Sequence, residues 1–383
     1  MEHLVNSKVK EIELSGIRKF FNLVADYDDV ISLTIGQPDF TTPDHVKRAG
    51  MKAIKDNFTT YTHNAGFIEL REAASQFVNN KYGLTYSPIN EIITTVGASQ
   101  AIDCTFRTIL ETGSEVILPS PVYPGYEPLI KLAGGVPVYV DTTKTDFKLT
   151  AELLAPYITE KTRCIVLPYP SNPTGVTLNN GELSDIADLV RGKDIFILSD
   201  EIYSELVYEG THHSIATHLR EQTIVINGLS KSHSMTGWRV GFLFAPEVIA
   251  KHLLKVHQYN VSCAASISQK AALEALTNGI NDANNMKSSY KERLDYVYDR
   301  LIKIGFEVVK PNGAFYLFPS ISQFNQTSFD FALTLVKNAG VALVPGSAFS
   351  EYGEGYVRLS YAYSMEQLKE AMDRIENYIM NQK

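Results

Sequence analysis

The sequence predicts an α/β protein: a large, mostly parallel seven-stranded sheet between helices, followed by a smaller α+β unit. Two observations carry this. Seven short apolar runs recur between residues 92 and 244, with helical stretches between most of them. Strands that are apolar on both faces and alternate with helices form parallel sheets covered on both sides. After about residue 280 the pattern changes to long helices separated by short strands. At roughly 150 residues per domain, the 383-residue chain has room for two domains. The expected division is 45–280 for the large one, with 1–44 and 281–383 together forming the small one.

Taken in order, residues 1–30 read as a helix and connector, and 30–35 as a strand ending at Gly36-Gln37-Pro38-Asp39. The large sheet is predicted from 92–96, 116–118, 136–140, 164–167, 195–198, 224–226 and 240–244, with helices such as 100–110, 182–189 and 248–260 between them. Beyond it come a helix over 282–304 and a strand pair, 306–309 with 314–318, hinged at Pro311-Asn312-Gly313. A helix over 330–338, strands at 341–344 and 356–362, and a terminal helix over 365–380 complete the pattern.

Composition excludes several classes. Hydrophobic residues at 44% and charged residues at 20% are ordinary for a globular enzyme and rule out a largely disordered chain. A net charge of −8 argues against an extended nucleic-acid or anionic-membrane surface, which needs a basic stripe. Cys104, Cys164 and Cys263 are odd in number and far apart, so neither a disulfide framework nor a thiolate zinc site is expected, and each reads as a small interior residue. No apolar run approaches the ~20 residues of a membrane span, and residues 1–20 lack a secretory pattern. The expectation is a cytoplasmic protein with no membrane or nucleic-acid partner and no metal.

In open parallel sheets, ligands collect at the carboxyl ends of the strands. Gly97-Ala98-Ser99-Gln100 follows the first run, and small residues opening a helix can cradle a phosphate or simply make a turn. Asn172 lies in the proline-restricted loop Pro168-Tyr169-Pro170-Ser171-Asn172-Pro173-Thr174-Gly175, where it can bond a ligand oxygen or shape the turn. Asp200, in Ser199-Asp200-Glu201-Ile202-Tyr203, can cap a helix or face a cationic nitrogen from a buried position. Lys231 sits between Ser230 and Arg239. Nearby cationic charge lowers a lysine pKa and favours the neutral amine of Schiff-base chemistry. One ligand satisfies all four loops: a phosphate for Ser99, Ser230 and Arg239, a ring nitrogen for Asp200, an oxygen for Asn172 and Tyr203, and an aldehyde for Lys231. Pyridoxal 5′-phosphate carries each of these groups.

The ordered set Asn172-Pro-Thr-Gly, Asp200-Glu-Ile-Tyr203, Ser230-Lys231 and Gly237-Trp-Arg239-Val-Gly241 resembles the class I/II aminotransferases, fold-type I pyridoxal-phosphate enzymes. The resemblance runs from Gly36-Gln37-Pro38-Asp39 to Val357-Arg358-Leu359-Ser360, and no P-loop, HExxH or GxGxxG fingerprint competes with it. It implies that Lys231 carries the cofactor aldehyde and later serves as the base. Asp200 would pair with the ring nitrogen, Tyr203 and Asn172 with the phenolic oxygen, and Tyr123 would stack on the ring. Ala98, Ser99, Ser230 and Arg239 would hold the phosphate. Arg358, with Gly36 and Asn172, would take the substrate α-carboxylate. Tyr61 would reach the phosphate of a neighbouring subunit, which requires a homodimer. The implied reaction is ping-pong transamination with glutamate and 2-oxoglutarate as one pair.

The second substrate is expected to meet Ile17 and Arg18, with Asn64 and Tyr126. Ser15-Gly-Ile-Arg-Lys-Phe20 and Gly228-Leu-Ser-Lys-Ser-His-Ser-Met-Thr-Gly-Trp-Arg239 resemble most the members acting on N-acetyl-L,L-diaminopimelate in lysine biosynthesis. Aromatic aminotransferases are the second reading, and β-eliminating C–S lyases, which share the cofactor contacts, are the third.

Overall fold

The computed structural model describes residues 1–24 and 27–381. Its strands are β1 (Ile31–Ser32), β2 (Ile92–Thr95), β3 (Glu115–Ser120), β4 (Val136–Asp141), β5 (Thr162–Leu167), β6 (Phe196–Asp200), β7 (Thr223–Gly228), β8 (Gly241–Phe244), β9 (Tyr316–Leu317), β10 (Val341–Ala342), β11 (Val344–Pro345) and β12 (Val357–Ser360). All seven predicted runs join one sheet in the order β2-β8-β7-β6-β5-β3-β4. Neighbours from β4 to β7 pair in parallel, whereas β8 runs antiparallel to both β7 and β2.

The apolar runs follow from burial on both faces. Ile117, Ile165 and Ile197 enter one core, with Leu183, Ile186 and Val190 of the helix Asn180–Val190. Their sequence neighbours Val116, Leu118, Cys164, Val166 and Leu198 enter the other, against the helices Gly97–Ile109 and Glu247–Val261. Successive side chains of a strand point to opposite faces, so a strand covered on both sides has no polar phase. Cys104 and Cys164 are buried as expected, whereas Cys263 is only half-buried.

A third core gathers the C-terminal part. Tyr290, Leu294, Val297, Leu301 and Ile304 form one face of the helix Ala283–Ile304. They pack with Leu335 of the helix Ser328–Ala339 and with Leu368, Met372 and Ile375 of the helix Met365–Met380. The three-stranded sheet β11-β12-β9 supplies Leu317 and Leu359 to the same core. β1 pairs in parallel with β10, Ile31 opposite Val341, and so ties the N-terminal segment to this region.

Several expected strands differ, among them 314–318, which shortens to Tyr316–Leu317. Residues 306–309 join no ladder: β9 pairs with β12, and Ser320 N–H donates to Glu307 C=O at 2.8 Å. The expected strand 341–344 divides at Leu343, its first half pairing with β1 and its second with β12. The expected strand at 30–35 shortens to Ile31–Ser32. Among the described residues, no helix is long and apolar enough to cross a membrane.

Candidate active site

The carboxyl ends of β2, β5, β6 and β7 open into a cavity of about 660 Å³, closed from the other side by residues 34–37, Tyr316 and Arg358. Every site residue expected from the sequence lines it except Tyr61 and Asn64. Tyr61 is 87% exposed elsewhere on the surface. Asn64 spends its amide on Ser262 C=O, donating at 2.8 Å.

β6 delivers Asp200 at 7% exposure. A turn rather than a helix follows it, so the carboxylate is not a helix cap. Oδ2 accepts from Tyr126 Oη at 2.7 Å and Oδ1 from Ile202 N at 3.3 Å. Burial pushes its pKa up to about 6, against the pull of these donors and of Lys231, with the charge of Glu201 adding to the rise. No cation pairs with it among the described residues. Tyr126, expected at the substrate side chain, instead spends its hydroxyl on Asp200.

Lys231 lies on the one-turn helix Leu229–Ser232 after β7, and its Nζ donates to Gly36 C=O at 2.6 Å. Desolvation, then the charges of Arg358 and Arg239, lower its pKa to about 8, only partly countered by Asp200. Arg358, on β12, is 1% exposed. Its Nη1 donates to Asn172 Oδ1 at 2.9 Å and its Nη2 to Thr34 C=O at 2.5 Å, while Nε has no partner. The rings of Tyr316 and Phe349 flank it at 4.5 and 5.0 Å. A buried guanidinium with neutral partners and a free N–H is set for an anionic ligand.

A second cationic end forms around Arg239. Its backbone has φ +55°, and its guanidinium packs on Gly97, where an added Cβ would lie 2.4 Å from Nη2. Gly241 is equally tight, since a Cβ there would meet Gly97 C at 2.7 Å and Ala98 N at 2.8 Å. These glycines let β8 bring Arg239 onto the first turn of Gly97–Ile109, which contains Ala98 and Ser99, holds no acidic residue and has free N–H groups. Ser230 lines the same end, and Tyr123 stands edge-on to Tyr126 at 5.5 Å.

Sequence reasoning missed Tyr316. Its hydroxyl bonds Tyr203 Oη at 2.7 Å, and a Cβ on Gly36 would lie 2.3 Å from it. A lone tyrosine in an apolar strand carries no chemical signature; the Gly36 motif was the one signal that something large needed that space.

A cationic end at a helix N-terminus, an uncompensated carboxylate, an amine and a second uncompensated cation thus share one cavity on a doubly covered, mostly parallel sheet. A sequence profile of the family Aminotransferase class I and II matches residues 28–375. The chain belongs to this family and is an aminotransferase. It is 65% identical over 383 residues to a probable N-acetyl-LL-diaminopimelate aminotransferase of Bacillus subtilis, covering 100% of this chain and 98% of the relative. An aromatic-amino-acid aminotransferase of Thermococcus litoralis is 40% identical, with 99% of each chain covered. The structure of an aspartate aminotransferase from Thermus thermophilus with maleate superposes with TM-score 0.93 at 35% identity, over 97% of this chain and 99% of that one. The fold is that of the type I aminotransferases.

Proposed function

We propose that the chain binds pyridoxal 5′-phosphate and transfers an amino group between glutamate/2-oxoglutarate and N-acetyl-L,L-diaminopimelate with its 2-oxo counterpart. The observation that carries the reading is charge. Asp200 is a buried anion with no cation, and Arg358 a buried cation with no anion, in a cavity that also holds Lys231. The donor set fits the cofactor: Ala98, Ser99, Ser230 and Arg239 for its phosphate, Asp200 for its ring nitrogen, Asn172 and Tyr203 for its phenolic oxygen, and Tyr123 for its ring face. Bound there, the cofactor supplies an aldehyde and an electron-accepting ring.

The chain's own residues do the rest. Arg358, oriented by Asn172 and the Thr34 carbonyl in the cavity that Gly36 also lines, grips the substrate α-carboxylate by its fork. Lys231 Nζ, partly neutral at its lowered pKa, is the amine that would hold the cofactor aldehyde and, when free, the base that would take the proton from substrate Cα. Asp200, buried and accepting from Tyr126, would hold a proton on the ring nitrogen, and the cation so formed would offset the burial that raises the carboxyl pKa.

Ile17 and Arg18 form the side-chain end, and Arg18 supplies a cation for the distal carboxylate that glutamate and N-acetyl-diaminopimelate share. The name of the relative at 65% identity supports this substrate over the aromatic one. The exposure of Tyr61 supports a homodimer in which it serves the neighbouring site. The pairing of β1 with β10 supports a small domain made of 1–44 and 281–383, apart from 45–280.

The test is product analysis of the purified, cofactor-loaded protein given N-acetyl-L,L-diaminopimelate and 2-oxoglutarate. Glutamate formation is expected. Pyruvate with ammonia would make the protein a lyase, and turnover of aromatic amino acids alone would replace the substrate assignment.

A further inference from the structure

Directly behind Asp200 lies a polar cluster that the proposed reaction does not use. Glu201 is 1% exposed. Its Oε1 accepts from Ser199 Oγ at 2.9 Å and from Ser214 Oγ at 2.5 Å, and its Oε2 meets His212 Nε2 at 2.9 Å. Tyr82, at the end of the helix Ile68–Tyr82, meets the His212 ring edge-on at 5.1 Å. A buried carboxylate bonded on both oxygens is costly to assemble, and removing one partner leaves the rest unsatisfied.

The location gives the cluster a purpose. Side chains alternate along a strand, so Ser199 and Glu201 share the face opposite Asp200, as their mutual hydrogen bond requires. The ladder ends here: Asp200 is the last β6 residue in register with β7, and Glu201 N–H makes one further bond, to Ile226 C=O at 2.8 Å. Beyond it the chain turns, and Asp200 has no following helix to hold it. His212 and Ser214 belong to the segment that returns past the strand end, so their grip on Glu201 fastens that end from behind.

We infer that Glu201 and His212 are positioning residues that hold the Asp200 carboxylate against the ring nitrogen of the bound cofactor. The inference rests on the proposed cofactor reading. The negative charge of Glu201 acts on Asp200 as well, raising its pKa together with burial, so the two carboxylates are coupled electrostatically and through the backbone.

The experiment is a double-mutant cycle read by cofactor affinity. Pyridoxal 5′-phosphate is titrated into the full-length protein stripped of cofactor, and the visible band is followed for the parent, Glu201→Ala, Asp200→Asn and the double variant. Thermal unfolding is recorded for each. If Glu201 acts through Asp200, Glu201→Ala weakens cofactor binding about tenfold in the parent and less than about twofold in the Asp200→Asn background, because interacting sites are non-additive. Its loss of Tm is the same in both backgrounds. His212→Ala, which leaves the strand untouched, reads the same coupling if Glu201→Ala does not fold. Equal weakening in both backgrounds, or none, overturns the inference. A parent protein that binds no cofactor overturns the functional reading instead.

Discussion

At one end of the cavity, Asp200 ends β6, Lys231 stands on the short helix after β7 and Arg358 on β12, all desolvated and fixed by named hydrogen bonds. At the other, Ile17 and Arg18 come from the short helix Gly16–Val24, and Arg18 is exposed, its guanidinium 5.9 Å from the ring of Phe21. The contrast is energetic. A buried charge without a counter-charge is expensive, so its survival declares a ligand of opposite sign. An exposed arginine is solvated with or without a ligand and declares little. The chemistry of the first end is therefore strongly constrained, while the second tolerates different side chains.

Substitutions separate the two ends. Lys231→Ala should have the largest effect, lowering amino transfer at least about 1,000-fold with every substrate, since it removes the base; steady-state turnover with glutamate checks this, and near-normal turnover would move the base elsewhere. Asp200→Asn should cost about 100-fold or more in kcat and far exceed Asn172→Ala, because it removes a charge rather than a neutral acceptor. Equal losses would deny Asp200 its electrostatic role. Arg358→Ala should lower kcat/KM about 100-fold for amino and oxo acids alike. A loss confined to one partner would mean that the two do not share a carboxylate site.

The pH dependence tests the same end. With its pKa lowered from 10.5 to about 8, Lys231 is protonated well below that value and neutral well above it. About one amine in ten is then neutral at pH 7, so capture of pyridoxal 5′-phosphate by the stripped protein should rise about tenfold from pH 7 to 9 and level off. Stopped-flow absorbance measures this, and a rate still climbing steadily at pH 10 would restore an ordinary lysine. Arg18→Ala should have the smallest effect, about tenfold in kcat/KM for glutamate and N-acetyl-diaminopimelate and little for phenylalanine. A loss shared by phenylalanine would make Arg18 a packing residue.

The same contrast decides what could be read from the sequence. Most strands of the large sheet are legible because burial on both faces leaves a mainly apolar run, as in β3, β5 and β6, while the edge strand β4 keeps its apolar residues although only Val140 of it is fully buried. The extent of the short strands is less so: β1, β9 and β10 keep only two residues each of the runs expected at 30–35, 314–318 and 341–344, and 306–309 joins no ladder. The strand-end motifs around Asn172, Asp200 and Lys231 are legible because each concentrates unusual side chains in a short loop. Tyr316 and the bond of Tyr126 to Asp200 are not, because a tyrosine in an apolar setting looks like core until its neighbour in space is known. Glu201 lay inside a recognised motif, yet its tie to His212 spans a loop that carries no such signature.

A single-turnover spectral screen of the cofactor-loaded protein probes both ends of the cavity at once. Glutamate, N-acetyl-L,L-diaminopimelate, L,L-diaminopimelate, tyrosine and phenylalanine are offered separately, and loss of the visible band is timed. Loss should be fast with glutamate and N-acetyl-L,L-diaminopimelate and slow with the aromatic pair. Fast loss with tyrosine and phenylalanine beside an inert diaminopimelate derivative would contradict the proposed substrate.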